Sequence, residues 1–145
     1  MGIDGGMREI LLHGSADEAF DQSVLVARQL ADTFEARLHV VYTVEDPLAA
    51  GWTAEMGAER MPEIHQAMVE EARSRLDSLI SREDQDRLGV EIVLRIGPAA
   101  DELVRYTMDR AIDLAIVHAS WSGGAGSDVA RALLDRGQCA VLVLR

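Results

Sequence analysis

Arg8-Glu9-Ile10-Leu11-Leu12-His13-Gly14-Ser15 is the stretch whose reading decides the fold. A short apolar run stopped by Gly-Ser reads as a buried strand meeting a turn. Immediately after it, Phe20, Val24, Ala27, Ala31 and Phe34 recur at helical spacing over Asp17–Phe34, which places them on one face of a helix. Arg37–Val44 then runs rich in β-branched residues until Glu45-Asp46-Pro47 stops it, which is the pattern of a second strand. Strand, helix and strand in that order make a crossover unit, and a parallel strand pair needs one.

The unit repeats down the chain. Leu48–Arg60 has little periodicity, an isolated Trp52 and two glycines, so it reads as a loop long enough to be a lid. Pro62 suits the first turn of a helix striped by Ile64, Met68, Ala72, Leu76 and Leu79, with the charged run Arg82-Glu83-Asp84 ending it. Val90–Ile96 is a third strand. Gly97-Pro98 opens a helix whose Asp101 and Glu102 favour its N-terminal dipole. Leu114–Val117 is a fourth strand, a Gly/Ser loop leads to a helix around Val129–Leu134, and Ala140–Leu144 is the last strand. The expected class is α/β: one doubly wound domain over residues 1–145 with helices on both sheet faces, and residues 1–7 as a flexible tail. In such a fold a ligand crevice opens at the carboxyl ends of the strands.

Composition narrows the partners. A chain of 145 residues and 15.8 kDa with 48% apolar residues suffices for one packed core. Its formal charge of −11 repels polyanions, so nucleic acid and anionic membrane are not expected partners. Met1–Gly6 has neither the basic start nor the apolar run of a secretion signal, so a cytoplasmic address is expected. Cys139, the single cysteine, lies among apolar residues and reads as a small buried hydrophobe.

Gly97-Pro98-Ala99, Glu102-Leu103-Val104, Asp113–Val117 and Cys139–Val143, together with Ile10-Leu11-Leu12 and Ala36–Val41, stand in an order and spacing that resemble the universal stress protein family from Ile10 to Arg145. The resemblance implies an open five-stranded sheet in the order 3-2-1-4-5 and a homodimer joined through the last strand. Physics gives the dimer a separate reason. Val141, Leu142, Val143 and Leu144 would form a sheet edge with no charge or proline to discourage pairing with a second copy.

The resemblance also implies a nucleotide site, because many members carry G-x2-G-x9-G followed by Ser or Thr after the fourth strand. Here His118 and Trp121 fall where the leading glycines would be, and Ser127-Asp128 falls at the final Gly-Ser. Bulky residues block the close backbone approach that phosphate needs, the loop is shorter, and Asp128 adds negative charge. The family's aspartate after the first strand falls on Ser15. The resemblance is therefore to the branch without the nucleotide motif, with no cofactor expected. ATP or AMP binding is the alternative, since Gly123-Gly124-Ala125-Gly126-Ser127 still leads into a helix N-terminus. The candidate crevice comprises His13, Gly14, Ser15, Val41, His118, Ser120, Gly124, Gly126 and Ser127.

Other residues carry two readings each. His13 and His118 end neighbouring strands in this order and are expected to face one crevice, as a metal pair, as a pH sensor, or simply hydrogen-bonded to loop backbone. Ser15, Ser120, Ser122 and Ser127 line the same rim, but no G-x-S-x-G elbow occurs and a hydrolase triad cannot be ordered. Ser15 or Asp17 caps the first helix. Trp52 and Trp121 either roof a pocket or pack on the end of the sheet, and Met56, Met61 and Met68 either adapt to a partner or fill gaps. His65 is a helix surface residue. The function expected is that of a non-enzymatic cytoplasmic stress or regulatory protein, homodimeric, with a degenerate nucleotide crevice. A nucleotide-binding member with weak or no ATP hydrolysis is the alternative.

Overall fold

The computed structural model describes residues 6–15, 18–44, 48, 51–119 and 125–145, the side chains of 125–127 excepted. Its elements in chain order are β1 (Glu9–His13), α1 (Glu18–Phe34), β2 (Arg37–Val44), α2 (Ala54–Leu79), α3 (Arg82–Arg87), β3 (Glu91–Ile96), α4 (Ala99–Asp109), β4 (Leu114–His118), α5 (Ala125–Arg136) and β5 (Ala140–Leu144). All pairings are parallel and the order is β3-β2-β1-β4-β5, so the expected open sheet is found.

Strand periodicity sorts the core into two layers. Ile10, Leu12, Leu38, Val40, Leu114 and Ile116 face α1 and α2, where Phe20, Val24, Ala27, Ala31 and Leu76 meet them. Leu11, Val41, Ala115 and Val117 face α4 and α5 and pack on Leu103, Val104, Tyr106, Val129 and Leu133. Each large apolar side chain withdrawn from water contributes roughly 1.5–3 kcal/mol. An exposed ion pair contributes about 0–1 kcal/mol, so these two layers hold the fold. Met7 packs partly against the first layer, so the end of the 1–7 segment belongs to the core.

Three local expectations are corrected. α2 starts at Ala54 and not at Pro62, because Thr53 caps it, its hydroxyl accepting from Met56 N–H at 3.2 Å. The greater part of the supposed lid segment is therefore helix, and Pro62 sits inside it. The run Arg82-Glu83-Asp84 forms α3 instead of merely ending a helix. Ser81 Oγ accepts from Asp84 N–H at 3.2 Å, and buried Gln85 donates to Asp77 at 2.8 Å and to the Ile80 carbonyl at 3.0 Å. α5 begins at Ala125, ahead of the apolar periodicity that marks Val129–Leu134.

Candidate functional site

At the carboxyl end of the sheet, β1 leaves through Gly14, whose N–H donates to the Val41 carbonyl at 2.8 Å. This bond sets the turn directly beside β2, at the position where Tyr42 sends its ring over the turn. A Cβ on Gly14 would lie 2.7 Å from carbons of that ring, so glycine is what lets the ring settle there. Tyr42 shares the face of Leu38 and Val40, and its ring centroid is 5.9 Å from that of Phe20 at a 49° tilt. Across the ring, Arg75 of α2 donates to Asp21 at 2.8 Å with its guanidinium 5.9 Å from the Phe20 ring centre. Burial pushes the Tyr42 phenol up to about 12, Glu71 adding to the shift and Arg75 opposing it.

Gly14, Ser15, Tyr42 and Thr43 on one side and Met68, Glu71, Ala72 and Arg75 on the other enclose a cavity of about 170 Å³. The sequence points to Gly14 and Ser15 in this crevice. It does not point to the ring or the four α2 residues, although Tyr42 has the same parity as core residues Leu38 and Val40, and Met68 and Ala72 belong to the recognised stripe.

His13 and His118 do not share a crevice. Alternation puts His13 on the face of Leu11 and Val41, toward α4, while His118 lies on the face of Leu114 and Ile116, toward α1. Adjacent strand ends are therefore not enough; the two residues differ in parity within the β1–β4 register of Leu12 with Ile116. They can form neither a shared metal pair nor a pair that repels on protonation. His13 is 4% exposed, its Nε2 lies 3.5 Å from Thr43 Oγ1, and burial lowers its pKa to about 4. Among the described residues no cluster of three or more His, Cys, Asp or Glu is arranged to hold a metal.

Of the remaining candidates, Ser15 is buried and Val41 is fully buried, facing α4 and α5. Gly126 and Ser127 lie in the first turn of α5. Ser120, Trp121, Ser122, Gly123, Gly124 and Asp17 lie outside the described residues. Trp52 is half-buried before α2, His65 is exposed on α2, and burial raises the half-buried Cys139 thiol.

The amino end of the sheet holds a polar network that sequence reading missed. His39 is fully buried, with Nδ1 2.7 Å from the Tyr106 hydroxyl and Nε2 3.1 Å from Glu9 Oε1. A carboxylate only accepts, so Nε2–H donates to Glu9 Oε1. Glu91 stands 3.4 Å from Nδ1 and accepts from Arg110 at 2.8 Å. Arg95 and Arg110 cover the Tyr106 ring, with centroid distances of 5.2 and 5.6 Å.

The universal stress protein family model matches residues 12–145, and the chain belongs to that family. The fold is shared with solved members. UspA of Lactobacillus plantarum superposes with a TM-score of 0.72 at 18% identity, covering 97% of this chain and 99% of that one. A universal stress protein solved in complex with cAMP gives 0.65 at 18% identity over 97% and 98% of the two chains. A family protein from Burkholderia pseudomallei gives 0.60 at 22% identity over 95% and 96%. No curated protein matches the chain.

Proposed function

We propose that this universal stress family member is a non-enzymatic regulatory protein of the cytoplasm, homodimeric through β5, whose crevice no longer takes ATP. The observation that carries the reading is the Tyr42 ring lying against Gly14, which leaves about 170 Å³ between the strand ends and α2. Small-molecule pockets generally span about 300–1,000 Å³, so this space is short of what a triphosphate nucleotide needs. His118 and Asp128 stand in place of the small residues that would flank the phosphates, and both work against an anion's close approach. Among the described residues no helix is long and apolar enough to cross a membrane. With a charge of −11, the family-type role that remains is association with protein or a small ligand.

Calorimetric titration tests the reading. ATP, AMP and cAMP are expected to give no heat of binding at micromolar concentration, and micromolar affinity for any of them overturns it. The dimer rests on β5 being an edge strand whose Val143 is 41% exposed. Sedimentation is expected to give twice the chain mass, and Val143→Lys to halve it.

A second reading, in which the crevice binds an adenine nucleotide, is favoured by the cAMP complex of a structural relative and by Tyr42, whose face could stack on a base. Tyr42→Ala separates the two. If the ring fills the space, the variant gains affinity for AMP. If the ring stacks on the base, the variant loses it.

A further inference from the structure

A second cleft lies at the other end of the sheet, away from the crevice. It measures about 560 Å³ and is bounded by the starts of β1 and β2 and the exits of α1 and α3. That volume is within the range of small-molecule sites. Arg8 and Arg37 come from the strand side, and Phe34, 44% exposed, supplies an aromatic ring from the helix side.

The two arginines are distinguished by sharing one cleft without a carboxylate partner among the described residues. The chain has 25 carboxylates and only 14 cationic residues, every one of them arginine. Arg75, Arg82, Arg105, Arg110 and Arg136 are each matched with a carboxylate. Arg8 and Arg37 have none within ion-pair distance among the described residues. Four nearby carboxylates are engaged elsewhere. Glu9, the register partner of Arg37, is held by buried His39. Asp113 accepts the backbone N–H groups of Arg8 and Glu9 at 2.8 and 3.0 Å. Asp32 and Asp84 are bound by Arg87. Gly89 keeps the path of Arg37 clear, since a Cβ there would come within 3.2 Å of its Cγ. Glu35, Asp86 and Arg87 line the helix side of the cleft, and Glu9 lies on the strand side with Arg8 and Arg37.

We infer that this cleft binds a small aromatic anion, its carboxylate or phosphate held by Arg8 and Arg37 and its ring packed on Phe34. Guanidinium forks match both anions bidentately, so the two sources share one chemistry. The site is independent of the crevice at the opposite end.

Calorimetry on the full chain with phenyl phosphate, benzoate and inorganic phosphate tests it. Phenyl phosphate or benzoate is expected to bind saturably, and which of them binds tighter names the anionic group. Arg8→Gln and Arg37→Gln are each expected to weaken that binding about tenfold, the effect of losing one charge-assisted contact. Phe34→Ala is expected to erase the advantage of phenyl phosphate over inorganic phosphate, and Arg136→Gln to change nothing. Thermal melts verify that each variant is folded. Absence of saturation with all three probes, or equal binding by the Arg8→Gln/Arg37→Gln double variant, overturns the proposal.

Discussion

The two ends of this sheet solve the same problem in opposite ways. At the carboxyl end an aromatic ring occupies the space and a histidine is buried with its pKa held near 4 by desolvation. At the amino end a histidine is buried just as deeply, but with a phenol and a carboxylate on its two nitrogens and a second carboxylate beside it. The comparison teaches that one sheet holds two settings for a buried imidazole, one ringed by polar side chains on both nitrogens and one in which desolvation lowers the pKa to about 4.

The largest expected effect comes from breaking the amino-end network. His39→Ala leaves Glu9 and the Tyr106 hydroxyl short of a partner and opens a cavity, which together should cost about 4 kcal/mol. Urea unfolding should report that loss, with Tm lower by on the order of 10 °C.

At the carboxyl end the effect is on pH dependence. His13 has a folded pKa of about 4 against 6.5 for the free side chain. Between those values the unfolded chain binds the proton and the native one does not, so stability falls as pH drops from 6.5 toward 4. The full loss should approach about 3 kcal/mol. His13→Gln should flatten that part of the stability curve, and an unchanged curve would mean that desolvation does not govern this end.

Gly14→Ala sharpens the steric half of the comparison. The added methyl meets the Tyr42 ring, and the strain should cost about 1–3 kcal/mol in equilibrium unfolding. Combining it with Tyr42→Ala should recover part of the loss, because the two residues are in contact. The smallest effect is expected at the surface. Arg136 and Asp101 pair at 2.9 Å but are 51% and 49% exposed, so Arg136→Ala should change stability by no more than about 0.5 kcal/mol.

The fold was legible because each strand is a short apolar run and each core helix repeats at helical spacing. Arg37–Val44 and Ala140–Leu144 stand in the structure with the bounds their residues suggest. The start of α2 was not legible, since Pro62 is the stronger local signal and Thr53 acts only through a cap that must be seen in three dimensions. Turn chemistry gave away Gly14 and Ser15. Adjacency misled at His13 and His118, because being neighbours at strand ends says nothing about which face each side chain takes. The His39 network stayed hidden for another reason: Glu9, His39, Glu91 and Tyr106 are far apart in the chain and only register brings them together.

The bonds from Arg8 and Glu9 to the carboxylate of Asp113 span 105 and 104 residues. β1 lies mid-sheet, so during synthesis its β4-facing side stays bare until that aspartate has left the ribosome. At roughly 5–20 residues per second, the nascent chain carries an open strand edge for on the order of 5–20 s. That interval is when a chaperone or a neighbouring polysome product has its best opportunity to capture Ile10, Leu11 and Leu12.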